Sequence, residues 1–166
     1  MDLYILRHGK AVEKTNSVTS DSKRNLTEEG IIDIETISQA LCNLGLKIDY
    51  IISSSLIRSK QTASIVFPNL LKNKKQFLIW DELKPETPIE QTVKKILSLN
   101  FSSIMIVGHE PHLSKLISTI ISDSPNVAVS LKKGGFAHIE LISHQKQLRG
   151  ILKTLMTPKQ LKKLCN

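Results

Sequence analysis

Two stretches of the chain decide its fold: residues 2–9 read DLYILRHG, and residues 103–109 read SIMIVGH. Each is a short apolar run that stops abruptly at histidine and glycine, which is typical of a buried strand that leads into a functional loop. In sheets of parallel strands, ligands bind just beyond the carboxyl ends of the strands. The sequence therefore predicts that His8 and His109, about 100 residues apart in the chain, meet at one edge of a sheet.

Helical patterns alternate with strand patterns along the rest of the chain. Thr27 begins a helix as a capping hydroxyl followed by two glutamates, and Gly45 is expected to end that helix. The remaining predictions are a helix at 56–68 and one after Pro88, a helix at 113–120, a short helix after Thr157, and strands at 49–53, 76–80, 103–107, 136–142 and 148–156.

This alternation predicts an α/β fold. We expect a three-layer sandwich in which helices flank a mainly parallel central sheet, with an antiparallel edge near the C terminus. The length of 166 residues fits one domain over residues 1–166.

Composition narrows the partners and the location. The net charge of +8 favours an anionic partner, such as nucleic acid, an acidic lipid surface or a phosphorylated substrate. Aromatic residues make up only 4% and are not interleaved with basic ones, so nucleic acid is not expected. The absence of a long apolar run predicts no membrane span, no signal peptide and a cytoplasmic location. Cys42 and Cys165 lack the spacing of a disulfide or zinc site.

The residues around His8 suit phosphoryl transfer. Dephosphorylation without a metal needs a nucleophile, at least two cations for the phosphoryl oxygens, and often a proton donor. A neutral imidazole is a nucleophile when its other nitrogen is held as a donor. The forked guanidinium of Arg7 fits phosphate oxygens, and Gly9 lets the backbone approach the ring and the phosphate.

Several longer motifs carry a family resemblance. In chain order they are LRHGKA (6–11), KRNLTEEG (23–30), SSSLIRSKQTA (53–63), DELKP (81–85), VGHEPHLS (107–114), KKGGFAHIEL (132–141) and LMTPKQL (155–161). Together they resemble the histidine phosphatase superfamily, and within it the SixA-type phosphohistidine phosphatases. The resemblance implies a phosphoglycerate mutase-like sandwich and a metal-independent enzyme without a cofactor.

The resemblance also implies roles for four residues. His8 is the nucleophile, and Arg7, Arg58 and His109 form the rest of the phosphate pocket. Arg58 stands near the start of a predicted helix, where the helix dipole also favours an anion. His109 follows a buried strand and can donate to a phosphate oxygen.

Other positions stay open. Arg24 matches a basic position of SixA-type chains and either contacts phosphate or lies on the surface. Glu82 stands where many superfamily members carry the proton donor, with an ion-pair or helix-start role as the alternative. Lys10 replaces a residue that is often acidic in SixA-type chains. Lys133 is interpreted as a solvated lysine, with an approach to the site as the alternative.

The leading hypothesis is a phosphatase that acts on phosphohistidine in a protein and forms a phosphorylated His8 as intermediate. Imidazole is a good leaving group, so a strong proton donor matters less than for an alkoxide. One alternative is a phosphatase for small phosphoesters. Another, from a different class, is a non-catalytic module for phosphate or nucleic acid, whose binding survives His8→Ala and weakens with salt.

Overall fold

A computed structural model describes residues 1–13, 21–71, 76–122, 126–143 and 147–165. The strands are β1 (Asp2–Arg7), β2 (Tyr50–Ser54), β3 (Phe77–Trp80), β4 (Ser103–Gly108), β5 (Phe136–Ser143) and β6 (Arg149–Met156). The helices are α1 (Glu28–Asn43), α2 (Ile57–Leu70), α3 (Ile89–Leu97), α4 (His112–Ser122) and α5 (Pro158–Lys162), and short 3-10 turns occupy Asp21–Lys23, Asp81–Leu83 and Lys163–Cys165. Within these ranges, no helix is long and apolar enough to cross a membrane.

The strands form one six-stranded sheet in the order β3-β2-β4-β1-β5-β6. The adjacent strands β3, β2, β4 and β1 are parallel to one another. Strand β5 pairs antiparallel with β1, and β6 pairs antiparallel with β5, so these two strands form an antiparallel edge. The predicted mainly parallel sheet with an antiparallel edge is confirmed. In the β1–β4 pair Arg7 lies opposite Gly108, so His8 and His109 each follow the last paired residue of adjacent strands.

The core has two halves, one on each face of the sheet. Along β1, Leu3 and Ile5 pack on one face with α3 and α4, whereas Tyr4 and Leu6 pack on the other face with α1, α2 and α5. This alternation follows from the two-residue period of a strand. The result is the predicted three-layer sandwich.

Local signals place the helix ends. The Thr27 hydroxyl accepts a hydrogen bond from the Gly30 amide, and Gly45 follows α1 with a φ of 65°, which favours glycine. The helix α2 runs to Leu70 rather than ending at Pro68, where the sequence predicted its end. Pro68 forfeits one amide donor, but the turn continues because the Leu71 amide donates to the Phe67 carbonyl at 2.8 Å.

Candidate active site

The parallel register of β1 and β4 brings the two strand-end histidines together. The ring centroids of His8 and His109 are 4.9 Å apart, with the ring planes at 50°. The His8 amide donates to the Gly108 carbonyl at 3.1 Å, which ties the two loops to each other. Both side chains are buried, with 5% and 1% of their surface exposed. Two segments distant in the chain therefore share one small polar site at the carboxyl edge of the sheet.

The hydrogen bonds of His8 define its tautomer. Nδ1 lies 2.7 Å from the Gly9 carbonyl oxygen, and because a carbonyl only accepts, Nδ1 carries the proton. Nε2 is then the nitrogen with a free electron pair. That pair accepts from Nε of Arg58 at 3.3 Å. The nitrogen that can attack phosphorus is thus Nε2, and a guanidinium stands directly in front of it.

The charge state of His8 suits a nucleophile. Burial lowers the pKa of His8 to about 3, against the opposing effect of the hydrogen bond to Gly9, and the positive charges of Arg58, Arg7 and Lys133 lower it further. The ring is therefore neutral at physiological pH.

Arg58 is held in place on several sides. It lies in the first turn of α2. One turn further along, the Thr62 hydroxyl accepts a hydrogen bond from the Gly9 amide at 3.1 Å. This bond joins α2 to the loop that follows β1 and carries His8, which we call the catalytic loop. Its Nη1 donates to the carbonyl oxygen of Asp21 and its Nη2 to the Asp21 carboxylate, both at 2.8 Å. With Nε on His8, every nitrogen of this buried guanidinium has an acceptor in the structure.

Arg7 approaches the same site from the end of β1. Its Nη1 donates to the Leu131 carbonyl at 2.8 Å, whereas its Nε is buried without a hydrogen-bond partner. Burial lowers the pKa of Arg7, whereas the negative charge of Glu110 raises it. The positive charge of Arg58 lowers the pKa of Arg7 further, so the two arginines are close enough to interact electrostatically. A buried donor without a partner, next to a second cation, is suited to binding an anion.

His109 makes no hydrogen bond with either ring nitrogen, although both are buried. Burial lowers its pKa well below the usual value, and His8 and Arg58 lower it further. Such an orphaned ring costs free energy unless a ligand satisfies it.

Gly9 has a packing role in addition to the role predicted from the sequence. A Cβ at this position would lie 2.7 Å from Cγ1 of Ile34 and 3.1 Å from the Gly30 carbonyl oxygen, both on α1. The glycine thus permits close packing of α1 against the loop of His8. The contact that excludes a side chain comes from the helix, and the Gly9 carbonyl approaches the His8 ring as the sequence predicted.

Arg24 joins the site through Asp21, a residue that the sequence analysis missed. Nη1 of Arg24 donates to the Asp21 carboxylate at 2.8 Å, and its Nε donates to the Val12 carbonyl. Burial raises the pKa of Asp21, but the hydrogen bonds from Arg24 and Arg58 outweigh this and lower it. The spacing of three residues between Asp21 and Arg24 was the available signal.

Glu82 forms an ion pair in the structure. Its carboxylate pairs with Lys95 at 2.7 Å, and that hydrogen bond lowers the pKa of Glu82 despite partial burial. The structure thus favours the ion-pair role over the proton-donor role, because a paired carboxylate holds no proton at neutral pH.

Glu110 is a second residue that the sequence analysis missed. One of its carboxylate oxygens, Oε1, is buried without a hydrogen-bond partner, and the other accepts from the Ser114 hydroxyl. Burial raises its pKa, and the charge of Arg7 acts against that. Its position directly after His109 in VGHEP was the only signal.

This fold and this arrangement define a phosphatase of the α/β class. The neutral imidazole of His8 faces the guanidinium of Arg58, Arg7 approaches from the neighbouring strand end, and the unsatisfied ring of His109 lies beside them. Phosphoryl transfer needs a neutral nucleophile and a cluster of cations to bind the phosphoryl oxygens.

Comparison with known proteins agrees with this class. The model of the histidine phosphatase superfamily (branch 1) matches residues 3–84, about half of the chain, and over these residues the chain is similar to that superfamily. An uncharacterized protein of Picosynechococcus sp. is 29% identical, over 81% of this chain and 82% of that protein.

Solved structures show the same fold. The structure of the protein histidine phosphatase SixA complexed with tungstate superimposes with a TM-score of 0.83 at 22% identity, over 97% of this chain and 99% of that chain. The alpha-ribazole phosphatase from Shigella flexneri gives a TM-score of 0.73 at 18% identity, over 95% and 97%. At these identities the likeness concerns the fold, and both proteins share it with this chain.

Proposed function

We propose that the chain is a protein phosphohistidine phosphatase, in which His8 accepts the phosphoryl group and passes it to water. Arg7, Arg58 and His109 bind the phosphoryl oxygens in this proposal, while Arg24 acts through Asp21. A single domain over residues 1–166 and a cytoplasmic location stay predictions of the sequence.

The observation that carries the proposal is the state of His8. Its Nδ1 proton is engaged by the Gly9 carbonyl, its Nε2 lone pair points at Arg58, and its pKa of about 3 keeps the ring neutral. A histidine with a purely structural role has no need of a cation at its free nitrogen. A nucleophile does, because the same cation then meets the incoming phosphoryl oxygens.

The reaction then has two displacements at phosphorus. Nε2 of His8 attacks in line, the bond from phosphorus to the substrate nitrogen breaks, and the substrate imidazole leaves with the electron pair. Water next attacks the phosphoryl-His8, the bond from phosphorus to Nε2 breaks, and inorganic phosphate leaves. In the structure the Nε2 lone pair of His8 accepts a hydrogen bond from Nε of Arg58 at 3.3 Å. In the first step this hydrogen bond breaks, and the lone pair forms the bond to phosphorus instead.

The ion pair of Glu82 with Lys95 supports phosphohistidine as the substrate. An alkoxide leaving group needs a proton donor, whereas imidazole, with a conjugate-acid pKa of about 6.5, leaves without a strong one. Glu82, the residue that the resemblance suggests as donor, is bound to Lys95. A site without that donor suits a substrate that does not require it.

A small-molecule phosphoester phosphatase remains the second candidate. The likeness in fold to the alpha-ribazole phosphatase from Shigella flexneri favours it. The two candidates share the His8 chemistry and differ in the leaving group, so a comparison of substrates separates them.

The deciding experiment supplies the protein with a histidine-containing phosphocarrier protein labelled with radioactive phosphate, and with labelled sugar phosphates and nucleotides. After rapid quenching we expect acid-labile, base-stable label on His8 and faster release of phosphate from the phosphohistidine protein than from any ester. His8→Ala should abolish both the label and the turnover.

The matched control is His138→Gln, because His138 is a partly exposed histidine that pairs with Asp2 on β1 at 2.6 Å and does not lie at the strand end. It should keep full labelling. Label on a serine, threonine or aspartate would contradict the mechanism, and faster hydrolysis of an ester would transfer the proposal to the second candidate.

A further inference from the structure

Asp21 is bonded directly to the guanidinium that faces the nucleophile. Its carboxylate accepts from Nη2 of Arg58 and its backbone carbonyl accepts from Nη1, both at 2.8 Å. Nε of the same guanidinium donates to Nε2 of His8 at 3.3 Å. Two hydrogen bonds and the width of one guanidinium therefore separate the Asp21 carboxylate from the nitrogen that attacks phosphorus.

The Asp21 carboxylate lies at the mouth of the site. Its side chain is 46% exposed, whereas that of Arg58 is 5% exposed, and His8 and His109 are buried as well. A substrate that is itself a protein inserts its phosphoryl group among the buried residues, while the group that carries it stays on the solvent side. The leaving group of such a substrate is thus expected beside Asp21.

The carboxylate retains acceptor capacity for a ligand. Oδ1 accepts from Nη1 of Arg24 and Oδ2 from Nη2 of Arg58, both at 2.8 Å. A carboxylate has about four lone-pair sites, so each oxygen can accept one further hydrogen bond. Burial raises the pKa of Asp21, but the hydrogen bonds from Arg24 and Arg58 outweigh this and lower it. Asp21 is therefore ionised at neutral pH and acts as an acceptor.

Phosphohistidine carries the donor that suits this acceptor. Phosphorus is bonded to one ring nitrogen, and the other ring nitrogen can take up a proton near neutral pH, since imidazole has a pKa of about 6.5. When the bond from phosphorus to nitrogen breaks, the electron pair returns to the ring and the protonated ring leaves as neutral imidazole. A carboxylate that accepts from the ring N–H stabilises the protonated form before this step. A phosphoester has no N–H on its leaving oxygen.

We propose that Asp21 is a specificity-determining residue, whose carboxylate accepts a hydrogen bond from the ring N–H of the phosphohistidine substrate. This inference rests on the proposed function and deepens it, because it names a residue that distinguishes phosphohistidine from a phosphoester. Arg24 supports the interaction by holding the carboxylate in place, since its Nε is bonded in turn to the Val12 carbonyl.

The test compares the phosphohistidine-containing phosphocarrier protein with p-nitrophenyl phosphate, an ester whose nitrophenolate also leaves without a strong proton donor. Asp21→Asn can still accept from Arg58 through its amide oxygen, but it lacks the negative charge. We expect it to lower kcat/KM for the phosphohistidine protein about tenfold, the size of one charge-assisted hydrogen bond, and to leave kcat/KM for the ester within about threefold.

The matched control is Glu140→Gln, because Glu140 is a carboxylate of similar exposure that pairs with Lys153 at 3.0 Å on the antiparallel edge of the sheet. It removes the same charge and should leave kcat/KM for both substrates unchanged.

Rapid-quench labelling separates the two displacements. The imidazole leaves in the first one, so Asp21→Asn should slow the appearance of label on His8 about tenfold and leave the later loss of that label at the wild-type rate. An equal loss of kcat/KM for both substrates would show that Asp21 only positions Arg58. That result, or unchanged hydrolysis of the phosphohistidine protein, would overturn the inference. Absence of label on His8 in the wild-type chain would instead overturn the proposed function.

Discussion

Gly30, on α1, offers a sharp test of how the helix supports the site. A Cβ at Gly30 would lie 2.1 Å from the backbone carbonyl oxygen of Lys10, and real Cβ atoms essentially never come closer than 3.0 Å to a neighbour. Gly30→Ala therefore requires a displacement of at least 0.9 Å between α1 and the catalytic loop. Backbone atoms cannot swing aside as the end of a flexible side chain can.

The displacement reaches His8 through two peptide groups. The Lys10 carbonyl already accepts from the Thr27 amide at 2.9 Å, and the preceding carbonyl, that of Gly9, holds Nδ1 of His8 at 2.7 Å. A misplacement of about 1 Å near the chemistry can cost about 100-fold in rate. We expect Gly30→Ala to lower kcat by about that factor, and overpacking to cost about 1–3 kcal/mol of stability.

The assay measures phosphate release per folded molecule, with the folded fraction determined by circular dichroism, at a temperature well below unfolding. The matched control is Gly45→Ala at the other end of α1, where no atom lies within 4 Å of the added Cβ but the φ of 65° is strained. That strain costs about 1–2 kcal/mol without any contact to the site, so kcat should stay unchanged. Wild-type kcat in Gly30→Ala would show that α1 moves instead of the loop and would refute the reasoning.

Two further predictions concern protons. Burial depresses the pKa of His8 in the folded state to about 3, below the ordinary value of 6.5. Between these two pH values the unfolded chain therefore binds more protons than the folded chain. The stability that His8 contributes is thus complete above pH 6.5 and declines as the pH falls towards 3. Denaturant unfolding from pH 7 to 5 should show a steeper loss of stability for the wild type than for His8→Gln, and equal slopes would contradict the assignment. For Glu82, replacement by Gln should leave hydrolysis of phosphohistidine within a few-fold of the wild type, since the carboxylate is held by Lys95; a loss of 100-fold or more would restore Glu82 as the proton donor.

Much of the fold could be predicted because its signals are local. The apolar runs that end at His8 and His109 identified two adjacent strands, and Thr27 and Gly45 marked the ends of α1. At Pro68 a local rule failed, because one missing amide donor does not stop a helix whose next turn is hydrogen-bonded.

The motifs that carry the family resemblance were enough to propose His8, Arg7, Arg58 and His109 as one site. What they could not supply was the partner of each polar group. Asp21 holds Arg58, Lys95 holds Glu82, and the half-buried Glu110 interacts electrostatically with Arg7.

The sequence by itself determined the α/β class, the ends of most elements and the kind of chemistry at the end of β1. Only the tertiary structure decided the order of the strands, the packing reason for Gly9, and which cations keep free donors for an anion. The physical reason is that periodicity and capping act within one turn or strand. Hydrogen-bond partners and burial, by contrast, are set where segments distant in the chain pack together.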